Sequence, residues 1–107
     1  MQVKFLPAAK SRLLEVWAYT ESTWGESQAD CYLRGLVDSI QQSAELRHRW
    51  RPVRDEKLSG AYFIRYQRHY IFFRELSPDT IGVISVLHEK MNIPARLRED
   101  SVGQDDE

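Results

Sequence analysis

At 107 residues, 42% hydrophobic and 29% charged, the chain has material for one globular domain with a single modest core, which excludes a bilobal enzyme. Its formal net charge of −1 conceals an uneven distribution: residues 1–46 carry four Lys/Arg against six Asp/Glu, residues 47–74 eight against two, and residues 75–107 three against eight. The single Cys31 excludes an internal disulfide and has no His or second Cys at metal-ligand spacing, so it reads as a partly buried helix residue, with neither metal nor cofactor expected. The N-terminus has neither a basic start nor a long apolar run, so neither secretion nor membrane insertion is indicated and a cytoplasmic protein is expected.

Gln2–Leu6 reads as a short strand, after which Pro7 fits the first helical position, where its missing N–H costs nothing. Leu6, Ala9, Leu13, Val16, Trp17, Thr20 and Trp24 then recur at helical spacing with Ser11, Glu15 and Ser22 opposite, and Gly25 ends or kinks this helix. A second helix is expected from about Glu26 to Arg47. The capping-box-like Ser27-x-x-Asp30 favours its start, and Ala29, Tyr32, Leu33, Leu36, Val37, Ile40 and Ala44 form its apolar face. So short a joint makes an αα-hairpin, with Trp17 and Leu33 expected to be buried in it. Three strand-like runs follow at Ala61–Gln67, His69–Leu76 and Thr80–Leu87, the last two separated by the turn signal Ser77-Pro78-Asp79.

The expected architecture is therefore α+β, in the order β-α-α-β-β-β, with the two-helix hairpin on one face of a small antiparallel sheet. The Gln2–Leu6 strand lies inside or beside the meander. Residues 1–98 read as one domain and residues 99–107 as an acidic, disordered tail. Which sheet face the helices cover stays open: Tyr62, Ile64 and Tyr66 share one parity, Phe63, Arg65 and Gln67 the other, and Ile71 and Phe73 oppose Tyr70, Phe72 and Arg74. The uncovered face would leave aromatic area for a partner.

Arg47, Arg49, Arg51, Arg54, Lys57 and Arg65 run from the end of the second helix into the first meander strand, with His48 and Trp50 among them. One reading is a solvated loop plus cations at a helix C-terminus. The other is a contact surface for an acidic protein segment or a nucleic-acid backbone, between which charge sign does not discriminate. His48, His69 and His88 have no Ser or Cys nucleophile at a strand-turn-helix elbow, and Ser59-Gly60 is a turn and not a phosphate loop. His88 reads either as a hydrogen-bonded cap at the end of the last strand or as a partner contact or general acid/base.

The stretch Arg68–Asn92, with its Ile71-Phe72-Phe73-Arg74 strand and its closing Leu87-His88-x-x-Met91-Asn92, resembles the ParE branch of the RelE/ParE toxin superfamily. Tyr19, Trp24-Gly25, Gln28-Ala29 and Tyr32-Leu33 match the helix-turn-helix region of the same family, so the resemblance covers about nine-tenths of the chain. It implies a toxin of a type II toxin–antitoxin system that inhibits DNA gyrase, through its A subunit, and is neutralised by a ParD-type antitoxin. Operator DNA would be reached only through that antitoxin. The implied antitoxin-binding residues are Arg49, Arg51, Arg54, Arg65, Tyr70, Phe72 and Arg74, and the implied gyrase contacts are His88, Met91 and Asn92.

The sister RelE-type branch cuts messenger RNA in the ribosome, which requires a base for the ribose 2′-OH, cations for the developing charge and an acid for the leaving oxygen. Members of that branch resemble one another in having an Arg just after the last strand and a Tyr soon after it. Here Glu89 and Ala95 stand near those positions, Ile71 stands where a meander Arg would be, and Arg65 alone keeps a basic counterpart. The resemblance thus implies a binding function without catalytic residues. The alternatives are a ribosome-dependent endoribonuclease and a non-toxic homologue that only forms complexes.

Overall fold

In a computed structural model, which describes residues 1–102, the elements follow in the order β1 (Gln2–Phe5), α1 (Pro7–Trp24), α2 (Glu26–Ala44), β2 (Arg51–Pro52), β3 (Ala61–Tyr66), β4 (His69–Ser77), β5 (Thr80–His88) and α3 (Ile93–Ser101). Single turns of 3-10 helix stand at Arg47–Arg49 and Glu56–Leu58. The strands form one sheet in the order β1-β5-β4-β3-β2. The expected β-α-α-β-β-β succession is present, with the two-residue β2 and the helix α3 added to it.

β1 pairs with β5 in parallel, Gln2 opposite Thr80 and Phe5 opposite Val83, so the sheet is mixed and not antiparallel throughout as expected. A parallel pair needs a long crossover, and here the helical hairpin and the first meander strands provide it. The β4–β5 register shifts between Phe72 and Phe73: Phe73 faces Val83 and Phe72 faces Ser85, leaving Ile84 as the extra residue of a bulge. In consequence β5 is buried on both faces. Ile81, Val83 and Val86 join Ala9, Val16, Leu36, Ile40, Ile71 and Phe73 under the helical hairpin. Ile84 and Leu87 join Leu6, Ala61, Phe72 and Leu97 on the other side.

The hairpin forms where expected, but two of its details differ. Gly25 joins the helices at φ +96°, a conformation that a side chain disfavours. Asp30 does not complete a capping box; its Oδ1 accepts the indole N–H of Trp17 at 2.9 Å, tying α1 to α2. Trp17 and Leu33 are half-buried, whereas Trp24, at 70% exposed, has left the apolar face because it is the last residue of α1 and lies beyond the sheet's cover. Cys31 is exposed, on the side of α2 away from the sheet. Gly35 lets the Tyr66 ring lie directly on α2, where an added Cβ would collide with the phenol.

The expected open second face is covered as well, by α3 together with Val53 and Leu58. Asn92 at the N-cap and Pro94 in the first turn are a helix-start signal, which the reading of residues 99–107 as a tail passed over. Glu99–Ser101 form the last turn of α3, because Asp100 is anchored there; residues 103–107 of the expected tail lie outside the described residues. Asp100 is 7% exposed, and both of its oxygens face Arg12 of α1, at 2.8 Å from Nε and 3.1 Å from Nη2. The buried Ser85 hydroxyl donates to the same carboxylate. One carboxylate thus joins α1, β5 and α3, and the pairing holds the Arg12 guanidinium well above its ordinary pKa despite partial desolvation.

Removing the cation would leave that carboxylate buried and unpaired. Arg12→Ala is expected to destabilise the fold by about 3 kcal/mol, the low end for a broken buried pair because Arg12 is partly accessible. Ser85→Ala should cost about 1 kcal/mol. Urea unfolding of the two variants measures both.

Candidate interaction surfaces

The basic stretch is organised by Trp50. Its ring is buried against Tyr62 and Phe73, with centroids 5.3 and 5.0 Å away, and its indole N–H donates to the Ser43 carbonyl at 2.9 Å. Trp50 itself is extended, and its neighbours, Arg49 at the end of the 3-10 turn and Arg51 at the start of β2, are exposed to solvent. Arg47 closes over the indole, 4.7 Å from the ring centroid, and pairs with Glu75 at 2.6 Å. Among the described residues no carboxylate pairs with Arg49 or Arg51.

Arg49, Arg51, Arg65 and Tyr70 line one groove of about 560 Å³ between the 3-10 turn, α2 and the end of β3. These four of the seven expected antitoxin contacts are therefore brought together. Arg54 lies apart, beside Asp55 and Glu56, and Arg74 sits on the second face near Lys57 and Ser101. Phe72 is 4% exposed beneath the α3 side and offers no surface to a partner, which corrects its expected role: the face it was expected to present is covered.

A second concavity, of about 380 Å³, lies between α1 and the end of β5 and is lined by Val16, Tyr19, Val86, His88 and Met91 among others. Two of the three expected gyrase contacts, His88 and Met91, are on its wall. Asn92 is not; its side chain accepts the Ala95 N–H at 3.5 Å and serves as the N-cap of α3. Tyr19 is 68% exposed and overhangs this concavity. Helical spacing alone gave no reason to single Tyr19 out, since it lies off the apolar stripe.

Between the concavity and an adjoining cleft sits His69, paired across the β4–β5 ladder with His88, their rings edge to face at 5.1 Å. Tyr32 Oη lies 2.7 Å from His69 Nδ1. The Lys90 N–H donates to His88 Nδ1 at 3.1 Å, so a neutral His88 carries its proton on Nε2. Burial first, and then the adjacent His88, pushes His69 down to about 4, with Glu89 opposing. The signal missed in the sequence was the register, which alone sets these two histidines opposite each other.

Glu89 is held by two arginines, 2.6 Å from Arg65 Nη2 and 2.7 Å from Arg68 Nη1. Its hydrogen bond to Arg68, followed by the Arg65 charge, keeps its carboxyl below the usual range. Arg65 also donates to the Gln67 carbonyl and lies over the Tyr70 ring. Its guanidinium is therefore already engaged. Among the described residues no group of three or more His, Cys, Asp or Glu is placed to hold a metal ion, and no helix is long and apolar enough to cross a membrane.

The depressed His69 makes a directional prediction. Unfolded, it titrates near 6.5; folded, near 4; between these values the unfolded chain binds more protons, so stability falls as pH drops through this window. The loss should be roughly 1–2 kcal/mol for a half-buried, partly screened group. Urea midpoints measured from pH 7 to pH 4 should show this slope, and His69→Asn should flatten it.

Comparison with known proteins is consistent along the whole domain. The family described as the ParE toxin of the type II toxin–antitoxin system parDE matches residues 3–93. The Toxin ParE1 of Mycobacterium tuberculosis is 35% identical over 91 residues, 85% of this chain and 92% of that protein, and the Toxin ParE1 of Caulobacter vibrioides is 36% identical over 90 residues, 83% and 90%. Among solved structures, a chain of the chromosomal ParDE system of P. aeruginosa superposes with a TM-score of 0.68 at 13% identity, over 82% of this chain and 95% of that one. A chain of the RelBE2 toxin–antitoxin complex of M. tuberculosis gives 0.59 at 20% identity, over 81% and 95%. These last two likenesses establish the RelE/ParE fold, and the family match and the ParE1 relatives establish the rest: the chain belongs to the ParE toxin family of type II toxin–antitoxin systems.

Proposed function

We propose that this toxin acts by binding DNA gyrase and stabilising its cleaved-DNA state, without covalent chemistry of its own, and that a ParD-type antitoxin neutralises it. Membership of the ParE family supports the target and the antitoxin class. The observation that carries the non-catalytic reading is Glu89 clamped by Arg65 and Arg68. A cutting enzyme needs free cations at the developing phosphorane charge, and here Glu89 engages both Arg65 and Arg68, offsetting one of their two charges and fixing both side chains. His69, held neutral down to about pH 4, is a poor proton donor at neutral pH.

In this reading the gyrase contact is the concavity around His88 and Met91 beneath Tyr19. An acidic segment of the antitoxin lies along Arg49, Arg51 and Arg54, which have no ion-pair partner among the described residues and where complementary charge speeds encounter and a coupled folding step buries area. The two partners then meet separate concavities, and the antitoxin hinders gyrase through its bulk.

Purified toxin added to gyrase and supercoiled plasmid should increase linear, cleaved DNA without any ribosome, and should leave messenger RNA intact in a translating extract. Met91→Ala and Tyr19→Ala should each weaken poisoning about tenfold or more while leaving antitoxin affinity unchanged. Point substitutions are required because truncation after Leu87 would remove α3 and orphan Arg12. Codon-positioned cuts in ribosome-bound message with gyrase untouched would replace this reading by the nuclease one.

A further inference from the structure

The groove beside Trp50 has properties that an acidic protein segment does not use. Its volume of about 560 Å³ falls within the ~300–1,000 Å³ of small-ligand sites, and among the described residues no carboxylate lines it. Its rim carries His48, Arg49 and Arg51, two of them arginines with no ion-pair partner among the described residues. Its wall is aromatic: Phe63 and Tyr70, half-buried and edge to face at 5.8 Å, stand on neighbouring strands. Its floor holds Ser43, 5% exposed, whose hydroxyl has no hydrogen-bond partner among the described residues. Thr20 and Ser101, also on helices, satisfy theirs on the carbonyl one turn back. A buried hydroxyl left unsatisfied costs free energy unless something in the groove completes it.

Cations interleaved with aromatic faces are what a single-stranded nucleic acid requires, since arginine meets the phosphate while an exposed ring meets the base. We propose that this groove binds a nucleotide of a single-stranded nucleic acid, its phosphate on Arg49 and Arg51, its base against Phe63 and the edge of Tyr70, whose face the Arg65 guanidinium covers. Ser43 donates its free hydroxyl to the bound unit. No proton-transfer pair lines the groove, where His48 is the single imidazole and Arg65 is committed to Glu89, so the strand is held and not cut. Duplex is excluded as an equal ligand because its bases are stacked inward, away from the aromatic wall. An antitoxin segment lying across Arg49 and Arg51 would occupy the same rim, so the two occupants exclude each other.

Fluorescence anisotropy of a labelled ten-nucleotide oligothymidine, titrated with the full-length toxin across a salt series, tests this. One phosphate neutralised by the arginine pair predicts that log affinity falls with log salt at a slope of about −0.7. Arg49→Ala/Arg51→Ala should abolish that slope and weaken binding at least tenfold, Tyr70→Leu about tenfold, and Ser43→Ala a few-fold, with each fold verified by circular dichroism. Arg34→Ala, an exposed cation on another side of α2, should change nothing. A duplex of the same sequence should bind at least tenfold more weakly. Absence of oligonucleotide binding at low salt overturns the proposal, as does a duplex that binds equally well or an Arg49/Arg51 variant that binds unchanged. Binding of polyglutamate with no binding of the oligonucleotide would assign the groove to an acidic protein segment alone.

Discussion

The fold is organised around one strand that must be dry on both faces. Residues 81–87 of β5 are all buried, and β1 flanks only the first part of the strand, up to Val83. Beyond Val83 the strand edge and both its faces still have to be covered. Arg12 and Asp100 solve this by clasping α1 to α3 around Ser85 just where β1 ends. A charge pair is a costly device for burial, but this one is bidentate, and a hydroxyl on the strand itself completes the carboxylate's hydrogen bonding. It fixes the angle at which α3 lies on the sheet, and with it the turn at residues 89–92 that connects them.

A comparable constraint shapes the other edge. Trp50 inserts between α2 and β3, where its ring packs on Tyr62 and Phe73 and its N–H takes the Ser43 carbonyl. Burying that one ring leaves the flanking arginines at the surface, so the cationic rim is a by-product of core packing as much as of charge. The groove that results is bounded by α2, β3 and the entering chain, and its composition follows from which side chains alternate with the buried ones.

The distribution of charge separates paired from unpaired cations among the described residues of this domain. Arg65 and Arg68 pair with Glu89, and Arg47 with Glu75, whereas Arg49 and Arg51 have no ion-pair partner among the described residues. The histidine pair is likewise structural in its energetics: His69 packs against His88 and Tyr32 and is held neutral by burial.

Local pattern made much of this legible. The helical hairpin, its Gly25 joint, the three meander strands and the basic stretch from Arg47 to Arg65 all follow from periodicity, turn chemistry and charge, because these depend on neighbours a few residues apart. The family followed from motifs of the same local kind. Features that depend on distant residues were settled by tertiary structure alone. The parallel seat of β1 on β5 brings together residues almost eighty positions apart. The Ile84 bulge decides which face each half of β5 presents, and the cover of α3 hides Phe72, which alternation had left free to meet a partner. α3 carried a legible start at Asn92 and Pro94, but its last turn looked like a tail because the Arg12 that neutralises Asp100 stands 88 residues earlier. Sequence by itself determined the helical hairpin, β1 and the meander strands, the family and the sign of the basic surface; tertiary structure decided which of those cations find a partner among the described residues, because ion pairing depends on distances that the chain sets only once it is folded.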